Sequence, residues 1–180
     1  MQRIGLLVAV GLAGGCGPER SASLSGSVSG FEIPTNPGDA YFRLDQDGLA
    51  VTLSERGGSC GSEVAALHDN TRVEVLVRAI GGALKLQVAT YPVTMPGTVA
   101  AVQIDRFDPA CAVRRSAFSF GRGDATVMID SVADNRIVGR FESTFTSTIP
   151  GDAVGQLSGG FNAYVCLLDD PGQTKKLPCR

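Results

Sequence analysis

The chain has 180 residues, of which 16 are basic and 18 acidic, and its formal net charge is −2 at pH 7. This length suits one domain with a sizeable core, and this charge balance excludes the clustered Lys and Arg of a nucleic-acid-binding protein. The 23 glycines, the charged fraction of 19% and the absence of tryptophan favour many turns and few long amphipathic helices.

The first sixteen residues have the pattern of an export signal. Arg3 precedes the run Ile4–Leu12, and Ala13-Gly14-Gly15 then leads to Cys16. Nine residues are far fewer than the roughly 20 apolar residues of a membrane-spanning helix, but they match the apolar region of a signal peptide. The alternatives are an ordinary secretory signal, cleaved after Gly15, and a short buried helix.

This segment resembles the signal of bacterial lipoproteins, in which small residues precede a cysteine that is diacylated and becomes the mature N-terminus. The resemblance implies that residues 1–15 are a cleaved signal peptide. It also implies that lipid on Cys16 anchors the protein to a membrane of the bacterial cell envelope. Two or more acyl chains are enough to keep a protein stably bound to a membrane. Gly17 follows the cysteine, and in enterobacterial lipoproteins this implies transfer to the outer membrane.

The number of cysteines agrees with a lipidated Cys16. An odd count in an exported protein leaves one thiol without an internal partner, and the five cysteines here are Cys16, Cys60, Cys111, Cys166 and Cys179. With lipid on Cys16, the other four form two disulfides in an oxidising compartment. Three pairings are open, and we favour Cys60–Cys111 and Cys166–Cys179.

The mature chain is predicted to be a short tether followed by one β domain. Residues 16–25 are the lipidated cysteine and a flexible tether, and residues 26–180 are the domain, whose C-terminal tail a disulfide ties back. Within the domain, Thr71–Arg78 and Ala83–Ala89 alternate with period two on either side of Gly81-Gly82. Glycine supplies the positive φ of a tight primed turn, so this pattern predicts a hairpin.

Two further hairpins follow from turn residues. Asp47-Gly48 predicts a turn between the strands Ala40–Leu44 and Leu49–Ser54. Residues 121–124, which include two glycines and an aspartate, predict a turn between Ala117–Phe120 and Ala125–Ile129.

The end of the chain continues this pattern. Asp134-Asn135-Arg136 separates Thr126–Val132 from Ile137–Ser147, and the last strand is Gly155–Val165. About nine to eleven strands with regular turns predict an all-β fold, either an antiparallel β-sandwich or a closed barrel. At most one short helix is expected, at Ser62–His68.

The segments Ile137–Glu142 and Gly155–Ala163 are similar to those of uncharacterised small β-rich bacterial lipoproteins, in which a Gly-x-Phe strand pairs with a final strand ending in cysteine. The similarity covers about 30 residues and implies no known chemistry.

Three motifs resemble functional sites but lack the residues that their chemistry needs. Residues 57–61 fit the nucleophile-elbow pattern around Ser59, yet the only histidine, His68, is too close in sequence for that fold. Residues 45–48 resemble a calcium loop whose first and last ligand positions are wrong, although an oxygen-only site including Asp39 is left open. Residues 122–124 form an adhesion-type Arg-Gly-Asp that a turn also explains. We predict no catalytic residue, no metal site and no cofactor.

Two functions remain. The first is a non-enzymatic envelope lipoprotein, anchored to the membrane through Cys16, that acts as an interaction or structural module for an unknown envelope protein or small ligand. The second is a carrier that holds a small apolar ligand inside a barrel, as lipocalins do. The second depends on a hollow interior between side chains expected to point inward, namely Val75, Leu86, Val88, Phe118 and Phe141.

Overall fold

The computed structural model describes residues 21–55, 69–110, 112–119, 123–147, 149 and 151–165. These residues form ten β-strands and no helix, which confirms the all-β class and the expected number of strands. The helix candidate Ser62–His68 lies outside the described residues. The strands are β1 (Ser21–Val28), β2 (Asp39–Leu44), β3 (Gly48–Ser54), β4 (Thr71–Ala79), β5 (Ala89–Tyr91), β6 (Thr98–Phe107), β7 (Val113–Ser119), β8 (Ala125–Ala133), β9 (Arg136–Phe145) and β10 (Gly155–Val165).

All ten strands belong to one sheet, in the order β5-β8-β9-β10-β2-β3-β4-β6-β7, with β1 paired to β10. Pairing is antiparallel except between β10 and β2, which run parallel over only two residue pairs. Within the described residues β5 and β7 lie at the two ends of this path and do not pair with each other. The closed-barrel alternative is therefore wrong.

The sheet curls around a single core. Along β4 the alternate residues Val73, Val75 and Val77 are fully buried, as expected for a strand with one face inward. Buried side chains from nine strands and from Tyr91 of β5 join one hydrophobic cluster. Strands β6 and β7 also approach β8 and β9, with which they share no backbone pairing. Both ends of the sheet thus enclose the same interior.

The hairpin predicted at Asp47-Gly48 and the strand break predicted at Asp134-Asn135-Arg136 are both confirmed. Strands β2 and β3 pair from Asp39 with Ser54 to Leu44 with Leu49, around the turn that contains Asp47-Gly48. Strands β8 and β9 pair around Asp134-Asn135. In both cases the residue types of the turn are sufficient to predict it, because aspartate, asparagine and glycine favour turns locally. Gly48 does so without a positive φ.

The hairpin predicted around Gly81-Gly82 is wrong. Both glycines do adopt positive φ, but the residues after them form no strand until β5, which pairs with β8. Strand β4 instead pairs with β3 on one side and β6 on the other, so neither of its edges is available. The segment after the turn is held elsewhere, for example by the Leu84 N–H, which donates to the Gln46 carbonyl at 3.0 Å.

The hairpin predicted between β7 and β8 is also wrong. Strand β7 pairs with β6, and β8 pairs with β9 and β5. The glycine-rich connection therefore carries the chain from one part of the curled sheet to the part that faces it, rather than between neighbouring strands.

The first described strand includes residues that were predicted to lie in the tether. Strand β1 begins at Ser21 and pairs with β10 along its whole length, from Ser21 with Asn162 to Val28 with Gly155. Residues 21–25, expected in the tether, are thus part of the sheet. The backbone hydrogen bonds of the β1–β10 ladder outweigh the local preference of a Ser-rich sequence for extended, solvated chain.

A prediction concerns the packing at Gly159 in β10. A Cβ at this position would overlap the Ser23 carbonyl oxygen and lie 2.8 Å from both Leu24 and the Phe141 ring. We expect Gly159→Ala to lower the free energy of unfolding by about 1–3 kcal/mol, because overpacking forces neighbours to move. The free energy of unfolding is measured by urea denaturation, with circular dichroism as the signal.

The matched control is Gly160→Ala, one residue along the same strand. A Cβ there meets its nearest atom, the Ser23 hydroxyl oxygen, at an ordinary 3.5 Å. This change should alter stability by about 0.5 kcal/mol or less. Equal losses for the two variants would contradict the packing argument.

Candidate functional site

The residues that the sequence singles out for lipidation and cross-linking lie outside the described part of the chain. They are Cys16, Cys60, Cys111, Cys166 and Cys179. Ser59, His68 and Arg122 are likewise outside it. Lipidation, disulfide pairing and the absence of a hydrolase site therefore stay predictions.

The aspartates near the β2–β3 turn serve the turn. The Asp45 N–H donates to the Gly48 carbonyl at 2.8 Å, and the Asp47 carboxylate lies 3.4 Å from the Arg78 guanidinium. Asp39 is at the opposite end of β2 and is buried. Within the described ranges, no group of three or more His, Cys, Asp or Glu is placed to hold a metal ion.

An apolar cleft of about 720 Å³ lies beside β4 and β6. Five segments line it, and almost all of the contributing side chains are apolar. The segments are β4 with the residue after it, the connection between β5 and β6, the first part of β6, β7, and Gly123 before β8. The lining includes Leu76, Arg78, Ile80, Pro92, Val93, Pro96, Val99, Ala100, Ala101 and Phe118.

Strand register explains why apolar side chains gather here. Leu76 lies between the buried Val75 and Val77 in β4, so it points to the other face of the sheet. Its register partner in β6 is Ala101, and partners across a ladder point to the same face. Alanine is too small to cover the leucine, which leaves space above the two strands.

The connection between β5 and β6 is held in place beside this space. At its start, the Thr94 N–H donates to the carbonyl of Thr90 in β5 at 2.7 Å. At the other end, the Thr98 hydroxyl donates to the Met95 carbonyl at 2.6 Å. Because both ends are fixed to strands, the cleft is preformed, as ligand sites generally are.

The cleft has little charge. Among the described residues that line it, only Arg78 is charged. The side chains of Arg78 and its partner Asp47 are both more than half exposed, so their attraction is weak. The arrangement suits an uncharged or singly anionic apolar group.

A second cluster, on the same face of the sheet, is polar. Arg72, Asp105 and Ser116 are successive register partners on β4, β6 and β7. The buried Asp105 carboxylate accepts hydrogen bonds from Arg72 at 2.8 Å, from Gln103 at 3.0 Å and from Ser116. The Arg72 guanidinium also lies 5.1 Å from the centre of the Phe107 ring.

These contacts keep Asp105 ionised. Burial raises the pKa of this carboxyl, but hydrogen bonds from Gln103, Ser116 and Arg72, with the charge of Arg72, together outweigh burial and place the pKa below its usual range. A carboxylate with three donors cannot readily accept a proton from a substrate. The cluster therefore joins three strands.

The side chains expected inside the barrel divide into two groups. Val75 and Phe141 are buried in the core and Leu86 is partly buried, as predicted. Val88 is 63% exposed and Phe118 is 37% exposed, so their predicted inward orientation is wrong. Val88 is not in a strand, and Phe118 points outward because its β7 neighbours Ala117 and Ser119 are buried.

The cleft was not predicted, although one signal for it exists in the sequence. The outward positions of β4 are Arg72, Glu74, Leu76 and Arg78, so Leu76 is the apolar exception. A lone apolar residue among charged outward neighbours indicates a local apolar surface. The partners of that surface come from sequence-distant segments.

Comparison with protein-family models, with curated proteins and with solved structures finds no match to this chain. No helix among the described residues is long and apolar enough to cross a membrane.

A prediction concerns Asp105. We expect Asp105→Asn to lower the free energy of unfolding at pH 7 by about 1–3 kcal/mol, because the Arg72 guanidinium loses its charged partner. The control Asp130→Asn removes an exposed partner of Arg140, 3.0 Å away, and should cost about 1 kcal/mol or less. Urea denaturation measures both.

The stability that Asp105 contributes should also depend on pH. The folded pKa of Asp105 is lowered, so the stability it contributes is fully present above its unfolded pKa of about 3.9 and is lost as the pH falls through the folded value. The difference between wild type and Asp105→Asn should therefore shrink below about pH 4. A difference that grows there contradicts this account.

Proposed function

We propose that this chain is a non-enzymatic, membrane-anchored envelope lipoprotein that acts as an interaction module and binds apolar groups in the cleft beside β4 and β6. The observation that carries the proposal is the cleft. It combines apolar side chains, a volume of about 720 Å³ and a single charged residue among its described lining.

The N-terminal sequence supports the anchor. Arg3, the short apolar run and the small residues before Cys16 match a lipoprotein signal. Lipid on Cys16 also leaves an even number of cysteines for two disulfides. Gly17 after the cysteine favours the outer membrane.

The architecture supports a rigid module. We treat the curled sheet as a sandwich of two facing parts, because β6 and β7 lie against β8 and β9 without pairing to them. The cleft stands mainly on the strands of one part, and sites built on strands are more precise than sites built on loops.

Binding of a small apolar ligand is the second candidate function. The cleft falls in the range of about 300–1,000 Å³ that is typical of small-molecule sites. The ligand would bind on the outer surface of the sheet rather than in its interior, where buried side chains such as Val75 and Phe141 already pack together.

The anchor is tested by Cys16→Ser. We expect this variant to leave the membrane fraction and become soluble, because no acyl chain remains to bury. The control Cys179→Ser keeps the predicted lipid and should stay in the membrane fraction. Fractionation after a high-salt wash, with mass spectrometry of the N-terminus, is the measurement. A Cys16→Ser protein that stays bound would refute the anchor.

The cleft is tested with an apolar fluorescent dye, 1-anilinonaphthalene-8-sulfonate, on full-length Cys16→Ser protein. Adding Val93→Asp should weaken dye binding about tenfold, because one valine contact contributes about 1.5 kcal/mol. The control is Ile149→Asp, since Ile149 is 66% exposed and Val93 is 71% exposed, and only Val93 lines the cleft. Equal effects would contradict the cleft as the binding site.

A further inference from the structure

We infer that the end of the domain next to the cleft contacts the surface of the bilayer that holds the lipid on Cys16, with its exposed apolar side chains in the interfacial layer. This inference rests on the proposed anchor and names the partner of the cleft region as a lipid surface.

The residues at this end are defined by strand register. Leu44 ends β2, Ile80 directly follows β4, Val99 is the second residue of β6, and Val132 is the last but one of β8. Each is an exposed large hydrophobic residue. We call these four residues the tip.

Strand register brings the four tip residues to the same end of the sheet, although β6 runs opposite to β2 and β4. Strand β10 runs parallel to β2, and β3, β4 and β6 follow in antiparallel register. The ends of β2 and β4 and the start of β6 therefore lie together, and the β8–β9 turn lies at the same end of β9 and β10.

The first residue of β1 lies at the end of the strand that faces the tip. Strand β1 is antiparallel to β10, and its first residue, Ser21, pairs with Asn162. Tyr41 of β2 pairs with Tyr164, so Leu44 lies five positions beyond the level of Ser21. At about 3.3 Å per residue this distance along the strand is about 17 Å.

The link to the anchor has the same length. Five residue steps separate Cys16 from Ser21, and five extended residues span at most about 17 Å. The lipidated cysteine can therefore reach the level of Leu44 but cannot pass far beyond it. A domain anchored through Cys16 must rest on the bilayer, and the direction of β1 selects the tip as the contact.

The side chains of the tip suit the boundary between lipid headgroups and acyl chains better than a purely anionic membrane surface. Apolar side chains bind in the boundary between headgroups and acyl chains, whereas clustered Lys and Arg bind anionic headgroups. At the tip, Arg78 is paired with Asp47, which limits its attraction to anionic lipid. The exposed Arg136 lies over the Tyr164 ring at 5.9 Å, and Tyr and Arg are typical of membrane interfaces.

The opposite end of the sheet supplies the control. It also carries exposed apolar residues, for example Ile149, in the connection between β9 and β10. Exposure alone therefore does not distinguish the two ends. The two ends differ in the direction of β1, which faces the tip, and in the distance that the short link can span.

The absence of tryptophan from the sequence makes a direct test possible. Three variants of the full-length lipidated protein each receive one tryptophan, as Ile80→Trp, Val132→Trp or Ile149→Trp. All three positions are exposed, so the larger side chain needs no space in the core. Each protein is reconstituted into vesicles of phosphatidylethanolamine and phosphatidylglycerol, with or without brominated acyl chains, which quench tryptophan on contact.

We expect the Ile80→Trp and Val132→Trp proteins to emit at shorter wavelength and to lose most of their fluorescence to brominated lipid. The Ile149→Trp protein should emit as in water and keep its intensity. Added 0.5 M salt should leave these differences unchanged, because the contact is mainly apolar.

Two results overturn the inference. If the proteins float with the vesicles but neither tip tryptophan is quenched, or Ile149→Trp is quenched equally, the anchor stands and the membrane-contact surface is wrong. If the proteins do not float with the vesicles, the proposed anchor has failed and the inference fails with it.

Discussion

The last strand, β10, connects the two parts of the sheet, and the rest of the fold depends on it. One of its edges pairs with β9, and the other edge pairs first with β1 and then, for two residue pairs, with β2. Gly159 makes this crowding possible, because its missing side chain leaves room for the Phe141 ring on β9 and for Leu24 on β1. Without β10, the group β2-β3-β4-β6-β7 would share no backbone pairing with the group β9-β8-β5.

The cleft and the polar cluster lie on the same face of the sheet, and the register between β4 and β6 produces both of them. Where β4 meets β6, the pair Arg72 and Asp105 forms a partly buried ion pair, and the pair Leu76 and Ala101 leaves an apolar gap. The ion pair is fixed by further hydrogen bonds, so it adds rigidity and specificity of register rather than chemistry. The apolar gap lies four residue pairs nearer the tip, and it is the part of this face that suits an external partner.

The sequence was sufficient for features that depend on neighbouring residues. The turns at Asp47-Gly48 and Asp134-Asn135 identify their hairpins, because turn conformation is set by the turn residues themselves. Gly81-Gly82 shows the limit, since its turn forms but β4 already has β3 and β6 as partners. The cleft could not be predicted, because it needs the pairing of Leu76 with Ala101 and a distant connection beside them. The roles of the five cysteines lie outside the described residues and stay predictions.

The pairing of β1 with β10 also constrains how the chain can fold. These are the first and last of the described strands, and β1 has no other strand partner. Contacts between distant parts of a chain raise the contact order, and folding is slower when such contacts dominate. Strand β1 cannot enter the sheet until β10 has been synthesised. If the chain is exported through its N-terminus, β1 must wait unpaired on the far side of the membrane until the last strand has crossed.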